Sequence, residues 1–297
     1  MSILKVKELI KSYGRIQALK GVSFAVPEGA VFGILGPNGS GKTTLLSIIL
    51  DVLNADSGSY EWFGKPAAPD LRKHIGSLLE TPNFYHYLSA VNNLKITSSI
   101  SGRGDINAID AVLQKVKLYE RRNSRFNTYS LGMKQRLAIA AALLGAPKIL
   151  VLDEPTNGLD PVGIMETREL IIELSKNGHT IIMASHLLDE VEKVCTHVAI
   201  LKTGTLVASG PVHDVLVDED IVEISAANME LLQQMVQDFP GAHQTVSSEQ
   251  YIQLYFEKGT AQLDAVNRFC YDKGIVLTHL LLKRKRLEEK FFELTNN

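Results

Sequence analysis

The residues Gly36-Pro37-Asn38-Gly39-Ser40-Gly41-Lys42-Thr43 stand at the spacing G-x-x-x-x-G-K-[ST], which suits polyphosphate chemistry. The glycines let successive backbone N–H groups curl around phosphate oxygens, and the N-terminus of a following helix adds partial positive charge. Lys42 is placed to reach the β- and γ-phosphates, and the Thr43 hydroxyl to sit on Mg²⁺. A second set of reactive types follows the apolar run Ile149-Leu150-Val151-Leu152, where Asp153 and Glu154 stand side by side. One carboxylate can hold Mg²⁺, usually through water, and its neighbour can orient or deprotonate an attacking water. His186 closes a further apolar run at residues 180–184. These types together point to hydrolysis of a nucleoside triphosphate. The bland alternatives are a glycine turn before a helix and an Asp-Glu pair capping a helix ahead of Pro155.

Such groups have to be held at one edge of a sheet. Residues 30–35 are apolar and read as a buried strand, and residues 43–50 read as a helix. Strand, glycine loop and helix is the order the motif requires. The near-continuous apolar runs at 149–152 and 180–184, separated by helical segments, predict a parallel sheet covered on both faces. Ligands gather outside the carboxyl ends of such strands. Alternating apolar residues at 4–10 and 19–26 predict an antiparallel piece ahead of the glycine loop, and Ser57-Gly58-Ser59 a hairpin. Residues 82–145 read mostly helical, with Ala108, Ile109, Ala111, Val112, Val116 and Leu118 near a 3.6-residue period. Ser130 is an N-cap signal before the apolar helix at 137–144. Residues 198–201 and 205–207 flank a further hairpin turn.

Near residues 211–216 the character changes. The remainder reads as strand 221–225, helix 228–238, strands 242–247 and 250–256, helix 261–273, strand 275–282 and a terminal helix 286–294. Strand-helix-strand-strand-helix-strand is the split βαβ order. No second phosphate loop and no internal repeat is found.

A chain of 297 residues has room for one large domain and a small one. The net charge of −2 gives no sign of strong nucleic-acid or membrane electrostatics. The first residues lack the long apolar core of a signal peptide. No run approaches the 18 or so apolar residues of a membrane span, so a membrane role is expected to come through a partner. Cys195 and Cys270 lack metal-ligand spacing and read as reduced core thiols.

In their order along the chain these motifs resemble the nucleotide-binding subunit of ATP-binding-cassette (ABC) transporters. The resemblance covers roughly residues 1–213. It implies an α/β fold of the P-loop NTPase type, a cassette with a mixed sheet and a helical subdomain at about 82–145, and a small α+β accessory domain at 214–297. It also implies roles. Tyr13 stacks on adenine. Gly36, Pro37, Asn38, Gly39, Ser40, Gly41, Lys42, Thr43 and Thr44 form the Walker A loop. Ser130 and Gly132, within Tyr129-Ser130-Leu131-Gly132-Met133, lie in the signature motif that binds the γ-phosphate of ATP held by the other subunit. Asp153 is the Walker B aspartate, Glu154 the catalytic glutamate and His186 the switch histidine. Asp160, in Asn157-Gly158-Leu159-Asp160, lies in the loop that crosses to the partner site. The implied ligands are ATP and Mg²⁺, with Thr43, Asp153 and Glu80 around the metal.

Two positions depart from the usual family pattern. The signature is usually Leu-Ser-Gly-Gly-Gln, so Leu131 replaces a glycine and Met133 a polar residue, while Ser130 and Gly132 keep the hydroxyl and the close backbone approach. Glu80 in Leu78-Leu79-Glu80-Thr81-Pro82 replaces a glutamine, adding a carboxylate beside Asp153 and Glu154. Either tighter Mg²⁺ binding or slower γ-phosphate entry is expected of it. Both departures, with Phe84, Tyr85, Tyr87 and Asn93-Leu94, look like the bacitracin- and lantibiotic-type exporters. That branch implies an ATPase on the cytoplasmic face of the membrane. It would power a separate transmembrane permease that exports an antibiotic, peptide or other amphiphile, and dock the permease near residues 84–94. Two cassettes would pair around ATP, as a homodimer or a pseudo-symmetric dimer, with no nucleic acid involved. The alternatives are import, a soluble ABC ATPase acting on DNA or ribosomes, and a non-hydrolysing regulatory module. Intact Lys42, Asp153, Glu154 and His186 argue against the last. The basic run Lys283-Arg284-Lys285-Arg286 reads as a solvated junction or a contact for anionic lipid.

Overall fold

The computed structural model describes residues 2–66, 68–79, 83–216, 219–237, 239–248, 250–283 and 291. Glu80, Thr81, Pro82, Arg284, Lys285, Arg286 and, Phe291 apart, the terminal helix expected at 286–294 lie outside the described residues. The chain divides into two compact units, Met1–Pro211 and Val212–Asn297.

The first unit opens with β1 (Ser2–Tyr13), β2 (Ile16–Pro27), β3 (Val31–Leu35) and α1 (Lys42–Ile49). Next come β4 (Ser57–Trp62), β5 (Lys65–Pro66), β6 (Ile75–Leu78), α2 (Ala90–Ser101), α3 (Ile106–Lys115) and α4 (Leu131–Leu143). It closes with β7 (Ile149–Asp153), α5 (Pro161–Lys176), β8 (Thr180–Ser185), α6 (Leu188–Val194), β9 (His197–Lys202) and β10 (Thr205–Pro211).

Two sheets share this unit. One is antiparallel, in the order β2-β1-β4-β5. The other runs β10-β9-β3-β8-β7-β6 and is parallel except at β10. Every residue of β3, β7 and β8 is buried, which is why these strands read as continuous apolar runs rather than alternating ones. Leu35 pairs with Ser185 and Asp153 with Ala184. The chain therefore leaves β3, β7 and β8 at one common edge, immediately before Gly36, Glu154 and His186. Between the two sheets, residues of both sheets and α1 form one core, including Leu4, Leu19, Phe32, Ile48, Trp62 and Ile182.

The hairpin turn expected at Ser57-Gly58-Ser59 is not there. These residues begin β4, and the turn falls at Phe63-Gly64. The cause lies across the sheet. Glu8 interrupts β1 with a left-handed backbone (φ 47°), and the register of β1 slips on both sides of it. Ser23 Oγ accepts from the Glu8 backbone N–H at 2.8 Å and donates to Glu8 Oε1 at 2.7 Å, which holds the bulge. A Cβ on Gly58 (φ 87°) would stand 2.6 Å from Lys7 O, so this glycine permits a close crossing and does not mark a turn.

The region expected to be mostly helical holds three helices, and residues 116–130 between α3 and α4 contain two short 3₁₀ segments, Tyr119–Arg121 and Phe126–Thr128. Ser89, Asp105 and Ser130 cap the three helices, each side chain accepting from a backbone N–H three residues on. The hairpin expected around 202–204 is present, with Thr203 and Gly204 both at positive φ.

The second unit contains α7 (Val212–Leu216), β11 (Glu219–Ala226), α8 (Met229–Val236), β12 (Ala242–Ser247), β13 (Ile252–Glu257), α9 (Leu263–Asp272) and β14 (Leu277–Lys283). Its antiparallel sheet has the order β12-β13-β11-β14. After α7 the element order is the split βαβ pattern. Val222, Ile224, Leu232, Ile252, Leu254, Val266 and Cys270 form a separate core. Among the described residues no helix is long and apolar enough to cross a membrane.

Candidate functional site

The loop between β3 and α1 turns through Gly41 (φ 102°), which stands at the N-cap of α1. A Cβ there would lie 2.5 Å from Ala18 O, so only glycine fits. Lys42 is almost buried, and its Nζ donates to Gly36 O at 2.8 Å and Pro37 O at 3.3 Å. Ser40 N–H donates to Pro37 O, and Ser40 O accepts from Gly204 N–H. Gly36, Pro37 and Ser40 thus make the back of the loop. Asn38, Gly39, Gly41, Lys42, Thr43 and Thr44 face a cavity of about 370 Å³, which Tyr13, Ala18 and Glu154 also line.

Asp153 and Glu154 meet Thr43 and Lys42 from the end of β7, and His186 meets Glu154 from the end of β8. Thr43 Oγ1 donates to Asp153 Oδ2 at 2.9 Å. Glu154 has φ 48°, a rare conformation for a non-glycine residue, and its N–H donates to Ala184 O at 3.0 Å. The chain therefore turns sharply at the end of β7. The carboxylate comes 3.8 Å from Lys42 Nζ through Oε1 and 2.8 Å from His186 Nδ1 through Oε2. A carboxylate acceptor favours an N–H at His186 Nδ1. Such a cluster can grip a terminal phosphate, hold a hard cation through oxygen, and orient a water for in-line attack.

Ser130, Gly132 and Asp160 do not join this cluster. With Leu131, Arg136, Gly158, Leu159, Val162, Gly163 and Glu166 they line a second cavity, of about 390 Å³. Ser130 Oγ accepts from Met133 N–H at 3.3 Å, and Asp160 Oδ1 accepts from Gly163 N–H at 2.9 Å. The same surface therefore holds two helix N-termini, those of α4 and α5. Arg136 pairs with Glu166 at 3.4 Å and ties these helices together. Sequence reasoning missed that pair, because nothing in the spacing of two helices says which of their faces meet. Both cysteines are free and buried. Burial pushes the Cys195 thiol up to about 12, which leaves it an inert packing group beneath β3.

Comparison with known proteins fixes the family. Over 299 residues the chain is 36% identical to the bacitracin transport ATP-binding protein of Bacillus licheniformis, covering 99% of this chain and 97% of that one. The chain belongs to the ABC transporter ATP-binding proteins. The family model described as ABC transporter matches residues 19–157 of this cassette. A lantibiotic transport ATP-binding protein of Streptococcus pyogenes is 41% identical over 206 residues, 69% of this chain and 89% of that one. The dimeric structure of a post-hydrolysis ATP-binding cassette bound to ADP and Pi superposes with a TM-score of 0.64 at 27% identity. That match covers 70% of this chain and 98% of the other. The cassette is thus an ATP-binding ATPase subunit of the transporter class.

Proposed function

We propose that the two cavities are the two halves of a composite ATP site, completed when two cassettes face each other. The observation that carries this is their separation within one chain: Lys42, Thr43 and Glu154 line one cavity, Ser130 and Asp160 the other. The likeness to a dimeric cassette bound to ADP and Pi supports the same arrangement. In it, Tyr13 packs on adenine and the Asn38-to-Thr44 backbone cradles the phosphates. Lys42 leaves its loop carbonyls for the outer phosphates. Glu154 orients and deprotonates the attacking water, and His186 holds Glu154 and touches the γ-phosphate. Ser130, Gly132 and Asp160 come from the opposite copy. The hydroxyl of Thr43 and the carboxylate of Asp153, 2.9 Å apart, are the hard oxygen donors that suit Mg²⁺. When bound, the ion would neutralise charge on the β- and γ-phosphates. Glu80 is the third residue proposed to face that metal.

Both relatives are named for transport, one of bacitracin and one of a lantibiotic. We infer that this cassette powers export of a molecule of that class by a separate membrane-embedded permease, and works on the cytoplasmic face of the membrane. Closing around ATP and opening after hydrolysis is the stroke passed to the permease. The domain at 214–297 is an accessory to the cassette.

Glu154→Gln removes the base and keeps the shape. Hydrolysis is expected to fall roughly 10²- to 10⁴-fold, and with ATP the variant is expected to elute as a stable dimer in size-exclusion chromatography. A monomer under those conditions sinks the composite site. Tagged Glu154→Gln cassette with ATP, applied to detergent-solubilised membranes of the native cells, is expected to retain one multi-span protein. Recovery of ribosomes or nucleic acid would move the cassette to the soluble class.

A further inference from the structure

Asn93 is almost fully buried, yet it lies outside both cavities' catalytic groups. It is the fourth residue of α2, and its side chain reaches back to the segment before that helix. Asn93 Oδ1 accepts from Tyr85 N–H at 2.8 Å. Its amide nitrogen lies 3.1 Å from Tyr85 O, 3.1 Å from Ser89 O and 3.5 Å from Leu88 O. One buried amide thus supplies the partners that segment 85–89 would otherwise find in a strand or in water. The segment presents Tyr85 and Tyr87 to solvent. With Asn83, Phe84, Ile96, Thr97 and Ile100, Tyr85 and Asn93 also line a groove of 330 Å³.

The same segment is bonded to the approach to Ser130. Phe126 N–H donates to Leu88 O at 2.8 Å, and Asn127 N–H to His86 O at 3.0 Å. Val91 N–H donates to Arg122 O at 3.1 Å, and Ser89 bridges to Arg125. Phe126, 1% exposed, packs its ring edge-on to Phe84 at 5.2 Å and to His86 at 5.6 Å. Its other neighbour is Tyr129 at 6.2 Å, whose hydroxyl donates to Arg121 O at 2.7 Å. The next residue is Ser130, the cap of α4. A continuous path of hydrogen bonds and ring contacts therefore runs from the exposed tyrosines to the signature serine.

We propose that Asn93 is a positioning residue that welds segment 85–89, through Phe126 and Asn127, to the signature Ser130, so that the two move as one body. A permease that shifts the tyrosine segment would then shift Ser130 against the opposite copy's ATP. The weld itself stands on the contacts above; its use in coupling rests on the composite site and permease proposed for this cassette. Asn93→Asp is the cleanest test, because it keeps size and the Tyr85 acceptor and removes the amide donors. Asn93→Ala is its companion.

Amide hydrogen exchange of the nucleotide-free chain is expected to accelerate in both variants at Tyr85, Phe126 and Asn127. The change should be at least roughly tenfold, the scale of losing two or three buried hydrogen bonds. Exchange at Ile181, in the parallel sheet, is expected to stay as it is. If Tyr85 alone accelerates, or if Asn93→Asp behaves as the parent, the weld is overturned. In the Glu154→Gln background, either variant is expected to raise the ATP concentration needed for the dimer by about tenfold. Affinity for a fluorescent ADP analogue on the monomer should stay unchanged within about twofold, a split that general destabilisation would not produce. Equal dimerisation of the double and single variants overturns the link to Ser130. A Glu154→Gln parent that stays monomeric overturns the composite site and not the weld, which the exchange at Phe126 and Asn127 decides by itself.

Discussion

The two cavities of the cassette are close in size, about 370 and 390 Å³, and are built in opposite ways. Around the phosphate loop the charged groups are sunk into the fold. Lys42 is 7% and Asp153 3% exposed; Lys42 donates to Gly36 O of its own loop, and Asp153 accepts from Thr43 of α1. Around the signature the polar groups are helix caps, and the side chains beside them are open and apolar: Leu131 is 47% and Val162 59% exposed. Preorganised buried charge is what a site needs to grip a triphosphate unaided. Exposed apolar side chains around two helix N-termini make a surface that gains by meeting another surface. Size alone does not tell a ligand site from half of one; the state of its charges does.

Removing the central charge of the first cavity should have the largest effect in this contrast. Lys42→Ala is expected to lower steady-state ATPase activity by roughly 10²- to 10³-fold, the range for losing one preorganised donor at a reacting oxyanion. It also deprives Glu154 of the ammonium 3.8 Å away. A variant that keeps more than about a tenth of the rate would show that the phosphate-loop backbone suffices without its cation, and the contrast in charge would lose its meaning.

Ser130→Ala probes the other cavity. Losing the cap on α4 should cost about 1 kcal/mol of stability. If Ser130 bonds a phosphate as proposed, losing that hydrogen bond is expected to slow hydrolysis roughly 10- to 100-fold. Binding of a fluorescent ADP analogue to the monomer is expected to stay at the parent value, since no described contact joins Ser130 to the phosphate loop. If the two properties fell together, the cavities would be one site.

The first cavity was legible in the sequence because its determinants are local. Glycine spacing, Lys42-Thr43 and a strand ending in Asp153-Glu154 carry their own context. Strand-edge logic then brings Glu154 and His186 together, and the register of β3, β7 and β8 shows why. From β11 to β14 the elements were legible by hydrophobic period, within a few residues at each end. What could not be read depends on partners distant in the chain. Gly58 looks like a turn residue until the bulge at Glu8 is set against it. Asn93 looks like a helix-face polar residue until the four backbone atoms around its side chain are known. Arg136 and Glu166 each read as surface charge until α4 and α5 are packed. Long-range polar pairing leaves no period in the sequence, and here it is what positions the second cavity.

The smallest expected effect lies outside both cavities and guards the comparison against a trivial cause. His179 precedes β8, and its Nδ1 donates to Pro147 O at 2.8 Å. Burial holds its pKa below the ordinary value near 6.5; the Lys115 charge also lowers it, and the Pro147 hydrogen bond opposes both. Above about pH 6.5 the ring is neutral in both folded and unfolded chains, and the pairing is fully stabilising. As pH falls below that value the unfolded chain takes up the proton first, so stability is lost from about pH 6.5 down towards the folded pKa. His179→Gln is expected to flatten that part of the stability curve, read as melting temperature against pH. The change should be no more than about the 2–4 °C that 1 kcal/mol produces in a domain of 150–250 residues. ATPase activity at pH 7 should be unaltered. An acid limb unchanged in His179→Gln would place the titrating group elsewhere. A loss of ATPase at pH 7 would mean that β8 transmits stability to His186, and that differences between the two cavities cannot be charged to their chemistry alone.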